Sequence, residues 1–259
     1  MFQSPGDIAF QIFGFPIYFY GIILAFAIFV GVYCANILYK RFYEACDAEK
    51  IFDISPVIIF FGIIGARLYY CCVNYQYYFS HPVEILYFRQ GGLSIHGMII
   101  CGIAALFVLS KIYKISFLKL ADVLLCSTAL AQSIGRWGNF FNSEAFGAPT
   151  NLPWKLFIPI TNRPEQFINY EYFHPAFLYE SILDLLIFFI LLKVFKRFSN
   201  TPGRIACLYL ILYSTVRIFV EQIRIDSSLN ISGIPIAQIT SVILIILASI
   251  AFGKLKPQN

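Results

Sequence analysis

The chain has 259 residues, of which 59% are hydrophobic and 13% are charged, and its mean hydropathy is +0.74. Soluble domains carry about 25% charged residues, so water cannot be the main solvent of this protein. Its 28 Phe and 17 Tyr suit lipid packing better than base stacking, and its net charge of +5 is explained by membrane topology, so we expect no nucleic-acid partner.

Apolar runs of about the 20 residues that cross a bilayer recur seven times along the chain, and the fourth run is short. Each run is predicted to be helical, because open strand edges are unstable in lipid and no alternating β-barrel pattern is present. The predicted spans are residues 16–38, 54–73, 93–110, 120–135, 177–195, 204–222 and 236–253. The expected fold is therefore an all-α integral membrane protein with about seven transmembrane helices.

The chain is expected to form a single multi-pass membrane domain over residues 1–259, because no Gly/Ser-rich or Pro-rich linker divides it. Residues 1–13 contain no Lys or Arg, so we expect no cleaved signal peptide and retention of the first apolar run. The seven cysteines lie mostly in apolar runs without metal-ligand spacing. We interpret them as packing residues.

The basic residues predict the orientation of the spans, because cytoplasmic loops are rich in Lys and Arg. Twelve of the nineteen lie in the segments after spans 1, 3, 5 and 7 or at the span ends that adjoin them, five lie on the opposite side, and two lie deeper within spans. We therefore expect the N-terminus outside and the C-terminus in the cytoplasm. The longest connection, about 136–176, then lies outside, between spans 4 and 5, as a small cap or a substrate-facing arm.

Span 6 carries polar residues along one helical face. Tyr213, Arg217, Glu221 and Arg224 recur at intervals of 4, 4 and 3 residues, which stacks them on one side. Ionisable groups inside an apolar span cost at least about 2.5 kcal/mol on insertion, so they mark internal pairs or functional sites. An Arg217–Glu221 pair that only pins the helix is one interpretation. Two arginines beside a tyrosine favour an anion site.

The segment after span 4, residues 135–147, reads Gly-Arg-Trp-Gly-Asn-Phe-Phe-Asn-Ser-Glu-Ala-Phe-Gly. Arg136 can form paired bonds to a phosphate or carboxylate, and Glu144 can hold that arginine or accept a proton. Asn139 and Asn142 can orient the bound group. Glycines let a backbone approach a ligand, although a structural re-entrant turn uses the same residue types. The density of polar groups favours a functional role.

Two further motifs enter spans 3 and 5 from the same outer side. The Gly-rich segment 91–97 places His96 near the outer surface. A lone histidine is more often a packing residue, but beside an anion site His96 is a candidate base. The motif at 174–180 contributes His174 and Glu180, whose polar groups could serve either packing or the site.

Taken together, these residues resemble those of the prolipoprotein diacylglyceryl transferase family. The family's run Gly-Arg-x-(Gly or Ala)-Asn-Phe-x-Asn-x-Glu-x-x-Gly is filled at every fixed place by residues 135–147. The resemblance extends over essentially the whole chain. It includes Tyr20-Gly21, Gly65-Ala66-Arg67, the His96 motif, His174-Pro175 with Leu178-Tyr179-Glu180, and the polar face of span 6.

The resemblance implies a reaction and a place for it. The diacylglyceryl group of phosphatidylglycerol is transferred to the thiol of the lipobox cysteine of a preprolipoprotein, which forms a thioether and releases glycerol phosphate. This is the first step of bacterial lipoprotein maturation. The implied partners are phosphatidylglycerol, lipobox-bearing preprolipoproteins and membrane lipids, without metal or cofactor. The implied location is the bacterial cytoplasmic (inner) membrane, with the active site toward the outer face.

The resemblance also implies roles for single residues. Arg136 and Arg217 are expected to engage the lipid phosphate, and His96 to take part in catalysis. We prefer His96 as the base for the thiol proton, with Glu144 as the alternative. Other positions match functionally important family residues that we assign to phospholipid binding, namely Asn139, Tyr20, Tyr213, Gly147 and Glu221. Supporting roles are expected for Asn142, Arg224, His174 and Glu180.

Two alternative functions stay open at the level of sequence. A transporter or channel could use the same arginines as an anion pathway, although no inverted repeat or pair of broken helices is evident. A different membrane acyl or phospholipid transferase would also need the arginines, but it would not need the complete run at 135–147.

Overall fold

The computed structural model describes residues 2–44, 47–88, 91–225, 230–231 and 234–257. Eight α-helices dominate this described part of the chain. They are α1 (Phe19–Phe42), α2 (Lys50–Val73), α3 (Tyr75–Ser80), α4 (Ile95–Ile112), α5 (Phe117–Phe141), α6 (Ala176–Phe198), α7 (Arg204–Glu221) and α8 (Ile236–Lys254). The strands are short: β1 (Phe2–Gln3), β2 (Ile8–Ile12), β3 (Phe15–Tyr18), β4 (Leu156–Phe157), β5 (Tyr172–Phe173), β6 (Asn230–Ile231) and β7 (Ile234–Pro235).

Each predicted span coincides with one long helix. Five of these helices, α1, α2, α4, α5 and α8, are long and apolar enough to cross a membrane. Helices α6 and α7 have 23 and 18 residues but carry several ionisable side chains, which lower their apolar character. The chain is therefore an all-helical integral membrane protein with several spans. The count of seven spans and their orientation stay predictions.

Helix α5 runs well past its predicted end. The sequence predicts a span at 120–135, whereas the helix continues to Phe141. The helix therefore extends beyond the predicted span, and Gly138 lies inside the helix, where it serves packing. A Cβ atom on Gly138 would come within 2.7 Å of Cδ2 of Tyr20, so the missing side chain lets the Tyr20 ring of α1 lie against α5.

The chain leaves α5 through two residues in the left-handed region. Ser143 and Ala145 have φ angles of 53° and 55°. Both are buried, and such a conformation is unusual for residues with a side chain, so the surrounding packing must hold it. Because α5 continues to Phe141, Arg136 and Asn139 lie one turn apart on a helix, and only the end of the 135–147 run forms a loop.

Packing divides the chain into two compact units, residues 1–35 with 121–259 and residues 36–120, and the division falls within α1 and α5. In the second unit, α2 packs closely along α4. Gly65 and Gly97 permit this approach, because a methyl group on either would overlap the backbone of the other. The assignment of residues 1–259 to a single membrane domain stays a prediction.

Arg67 is an internal support of the second unit. Only 3% of the residue is exposed, and its guanidinium donates to four backbone carbonyls. The acceptors are Glu84 at 2.5 Å, Gly91 at 2.7 Å, Ile85 at 3.0 Å and Gly92 at 3.2 Å. Arg67 thereby fixes the backbone at residues 84–85 and 91–92, between α3 and α4, and its charge is used for structure.

In the first unit, residues 142–175 fold into a small cap. Strand β4 pairs in parallel with β1 and antiparallel with β5, which gives a three-stranded sheet. Its buried core consists of Phe140, Ala145, Phe146, Leu156, Ile158, Phe173 and Phe177. The ring of Phe2 stacks on Phe140 with centroids 4.8 Å apart, so the N-terminal strand closes this core. The cap is anchored to the ends of α5 and α6.

Helices α6, α7 and α8 pack side by side in the same unit. The start of α7 is fixed by Asp122 of α5, which is fully buried. Its carboxylate accepts the backbone N–H groups of Gly203 and Ala206, each at 2.8 Å. Backbone N–H groups at a helix N-terminus lack helical partners, so this carboxylate satisfies two of them. Asp122 thereby fixes the start of α7 against α5 and so sets the register of the polar residues of α7.

Candidate active site

Glu180 of α6 is the common partner of three arginines in the first unit. Only 3% of the residue is exposed. Arg136 of α5 pairs with its Oε2 atom through Nη2. On Oε1, Nη1 of Arg224 lies at 3.0 Å and Nη1 of Arg217 at 3.5 Å. The three guanidinium groups therefore converge on one buried carboxylate, which reduces their mutual repulsion.

Two more carboxylates complete this cluster. Oε2 of Glu221 lies 2.6 Å from Nη2 of Arg217, one turn away on α7. Oδ2 of Asp184 lies 3.9 Å from Nε of Arg136. The three arginine side chains keep 14–21% of their surface exposed, whereas the three acidic side chains keep 2–4%. The carboxylates are thus more deeply buried than the arginine side chains, which are the accessible members of the cluster.

The polar face predicted for span 6 is present, and it runs past the end of α7. Arg217 and Glu221 form the predicted pair, but Arg217 also contacts Glu180, so the pair belongs to a larger cluster. Tyr213, one turn before Arg217, stacks on Tyr209 with ring centroids 5.7 Å apart. The hydroxyl of Tyr209 donates to Oε1 of Gln132 at 2.7 Å, which ties α7 to α5 below the arginines.

The amide groups of the 135–147 run converge on one carboxylate. Nδ2 of Asn139 donates to Oε1 of Glu144 at 2.8 Å, and Nδ2 of Asn142 reaches the same atom at 3.3 Å. The backbone N–H of Glu144 also donates to the carbonyl of Asn139 at 3.0 Å. Glu144 is exposed but oriented, so its second oxygen stays accessible to a ligand or a proton.

Gly147 is a packing position. A Cβ atom there would lie 2.6 Å from Cγ2 of Ile223 and 2.9 Å from Cβ of His174. Its N–H donates to the His174 carbonyl at 2.8 Å, and the residue also forms a β-bridge with Arg224. Glycine is therefore needed so that the cap can approach the segment that carries Arg224. The role in phospholipid binding that we expected for Gly147 stays a prediction.

His174 lies in a small hydrogen-bonded group at the start of α6. Its Nδ1 atom is 3.2 Å from the hydroxyl of Tyr179, which accepts the indole N–H of Trp154 at 2.9 Å. Because the backbone of His174 also pairs with residues 147–148, this group joins the cap to α6. His174 thus makes packing contacts, which is one of the two roles expected from the sequence. The other, a supporting role in the site, stays a prediction.

His96 belongs to the second unit and lies in the first turn of α4. The residue is exposed, and its ring stacks on Tyr69 with centroids 5.8 Å apart and an interplanar angle of 27°. The imidazole is therefore accessible to a substrate. Its assignment as the base stays a prediction.

Comparison with known proteins identifies the family. Residues 7–253 match the model of prolipoprotein diacylglyceryl transferase. A phosphatidylglycerol–prolipoprotein diacylglyceryl transferase of Synechocystis sp. is 44% identical over 253 residues, which covers 96% of this chain and 88% of that protein. An enzyme of the same name from Thermosynechococcus vestitus is 41% identical and covers 100% of this chain and 95% of its own length.

The chain belongs to the prolipoprotein diacylglyceryl transferase family. It is therefore a transferase embedded in a membrane, and membership in this family rules against the transporter interpretation. The cyanobacterial relatives are consistent with a bacterial origin. The cationic cluster formed by α5, α6 and α7 is the candidate active site of this prolipoprotein diacylglyceryl transferase family member.

Sequence reasoning missed one member of the cluster and undervalued another. Asp184 was not predicted, and Glu180 was given only a supporting role, although it contacts three arginines. The signal was available, since Glu180 and Asp184 stand four residues apart in a predicted span, the same spacing that singled out Arg217 and Glu221.

Proposed function

We propose that the protein transfers the sn-1,2-diacylglyceryl group of phosphatidylglycerol to the thiol of the lipobox cysteine of preprolipoproteins. The names of its relatives support the two substrates. The cluster of arginines around Glu180 supports an anionic lipid head group as the ligand. The products are the thioether-linked peptide and glycerol phosphate, and the reaction is the first step of lipoprotein maturation.

The arginines are suited to the charge that develops during this reaction. The phosphodiester of phosphatidylglycerol carries one negative charge, and breaking its bond to the diacylglyceryl carbon leaves that charge plus a second one on glycerol phosphate. Arg136 and Arg217 supply two guanidinium groups, and their side chains are among the accessible members of the cluster. Preorganised positive charge in a water-poor site stabilises this developing charge more strongly than it stabilises the bound substrate.

The other half of the reaction requires a thiolate, because a neutral thiol is a weak nucleophile. The sulfur forms a bond to the sp³ carbon of the diacylglyceryl group as the bond from that carbon to the phosphate oxygen breaks. The thiol proton passes to a base. We assign this role to His96, whose imidazole is accessible, and keep Glu144, oriented by Asn139 and Asn142, as the alternative acceptor.

Both substrates are compatible with seven spans and an active site toward the outer face of the bacterial inner membrane. A phospholipid enters sideways from the bilayer, and the lipobox arrives from the translocated side. In intact cells we expect a membrane-impermeant thiol reagent to label Thr161→Cys, in the cap, and not Lys114→Cys, between α4 and α5. The reverse labelling, above the background of the native cysteines, contradicts this orientation.

The observation that carries the proposal is the convergence of Arg136, Arg217 and Arg224 on Glu180 in a member of this family. The test uses purified protein, phosphatidylglycerol and a lipobox peptide, with the peptide mass measured before and after incubation. We expect a gain of one diacylglyceryl group on the cysteine peptide and none on the matched Cys→Ser peptide. No gain on the cysteine peptide overturns the proposed function.

A further inference from the structure

Asp184 lies one helical turn after Glu180 on α6, and only 1% of the residue is exposed. Its Oδ2 atom is buried and has no hydrogen-bond partner in the described part of the chain. The same atom lies 3.9 Å from Nε of Arg136. Burying a carboxylate oxygen without a hydrogen bond is unfavourable, so the position of this carboxylate beside Arg136 calls for an explanation.

We propose that Asp184 is a positioning residue that fixes the guanidinium group of Arg136 for binding the lipid phosphate. The inference rests on the proposed function, because it assigns Asp184 a role at the same site. Asp184 does not itself touch the substrate. It acts through Arg136, and its effect should disappear when Arg136 is absent.

The geometry of arginine supports this role. Nε and Nη2 lie along the same edge of the planar guanidinium group, and their N–H bonds point in nearly the same direction. In Arg136, Nη2 pairs with Glu180 and Nε faces Asp184. Because residues i and i+4 lie on one helical face, the two carboxylates of α6 match this edge. Within the described residues Nη1 donates to no protein acceptor, so it is the nitrogen left for a phosphate oxygen.

Glu180 alone cannot set this orientation. Its two oxygens are shared among Arg136, Arg217 and Arg224, so one contact leaves the Arg136 plane free to turn about the Nη2–carboxylate axis. A second anion beside Nε restrains that rotation by electrostatic attraction. Asp184 is the carboxylate in position to do so, since it contacts no other arginine among the described ion pairs.

The experiment is a double-mutant cycle on phosphatidylglycerol binding, measured by titrating the lipid in mixed micelles of fixed detergent composition. We expect Asp184→Asn to raise the Kd about tenfold in the wild-type background, and by less than about twofold in the Arg136→Gln background. Asp184→Glu should stay within about threefold of wild type, because one additional methylene can close the 3.9 Å separation.

The matched control is Ser181→Ala. Ser181 is buried on the same helix and donates to the carbonyl of Ser133 at 2.8 Å, so its loss also removes a polar contact between α6 and α5. We expect this variant to bind phosphatidylglycerol with the wild-type Kd. If Asp184→Asn does not fold, the same cycle is run with Asp184→Ser, which also removes the carboxylate and whose rise in Kd should likewise fall below about twofold in the Arg136→Gln background.

Two results overturn the inference. One is an unchanged Kd for Asp184→Asn in the wild-type background. The other is an equal rise in Kd with and without Arg136, which assigns Asp184 to helix packing alone. The proposed function fails separately: a wild type that shows the coupling in binding but does not alkylate the lipobox peptide contradicts the transfer reaction and leaves the role of Asp184 intact.

Discussion

Arg224 and Glu180 form a 3.0 Å ion pair although 44 residues separate them along the chain. Arg224 follows the end of α7, whereas Glu180 lies in the second turn of α6. The pair therefore fastens the end of α7 to α6 at the level where Arg136 and Arg217 meet the same carboxylate. Most of the site is held together by this one acidic side chain.

Replacing Glu180 should consequently damage both stability and activity. We expect Glu180→Gln to lower the free energy of unfolding by about 3–5 kcal/mol, because removing one partner of a buried ion pair leaves the other charges uncompensated. Transfer activity should fall below detection. Thermal unfolding in detergent and the peptide assay measure the two effects. Glu165→Gln, at an exposed position of the cap, should match wild type in stability and activity. Wild-type stability and activity in Glu180→Gln contradict the central role of the Glu180 carboxylate.

Arg136 should require its planar fork and not only its charge. In Arg136→Lys the ammonium keeps the charge but cannot contact Glu180 and Asp184 along one edge while it binds a phosphate. We expect kcat/KM for phosphatidylglycerol to fall about 100-fold. Arg197→Lys, at the exposed end of α6, should leave it unchanged. Full activity of Arg136→Lys means that charge alone is sufficient.

Gly147 should not tolerate a side chain. The Cβ atom of alanine would lie 2.6 Å from Cγ2 and 2.9 Å from the backbone oxygen of Ile223, and the backbone cannot yield easily. We expect Gly147→Ala to lower the free energy of unfolding by about 1–3 kcal/mol. Gly253→Ala, in α8 with no atom within 4 Å of the added methyl group, should be neutral or slightly stabilising. Equal melting temperatures for the two variants contradict this packing role.

His96 should affect turnover and not lipid affinity. If it accepts the thiol proton, His96→Asn lowers kcat by about 10²–10⁴-fold and leaves the Kd for phosphatidylglycerol within about twofold. His81→Asn is a close control, because His81 is also exposed and stacked on a tyrosine, Tyr77, with ring centroids 4.6 Å apart. Unchanged turnover in His96→Asn means that another group accepts the thiol proton, and Glu144 is then the next residue to test.

The helices could be predicted from the sequence because the hydrophobic signal for a span is local and long. The end of α5 could not, because Gly138 looks the same in a turn as in a helix that packs against Tyr20. The two-residue strands of the cap also gave no signal, since β1 pairs with β4 across more than half the chain. Such pairings are fixed by tertiary structure.

Most residues of the site could be predicted from the sequence, but the contacts between them could not. The spacing of Arg217 and Glu221 indicated a contact within one helix, and that contact is present. The contacts of Glu180 join residues from three helices, and no local pattern specifies them. Ionisable residues in apolar spans indicate that partners exist, and only the fold determines which partners meet.

The most direct test of the proposed chemistry is the stoichiometry of the products. Wild type and Arg217→Gln are incubated with phosphatidylglycerol and a lipobox peptide, and released glycerol phosphate is counted against alkylated peptide. We expect one glycerol phosphate per thioether in the wild type, and a loss of both products together in Arg217→Gln. Glycerol phosphate released without alkylated peptide, or alkylated peptide formed at the wild-type rate by Arg217→Gln, contradicts a phosphate clamp coupled to attack by the thiol.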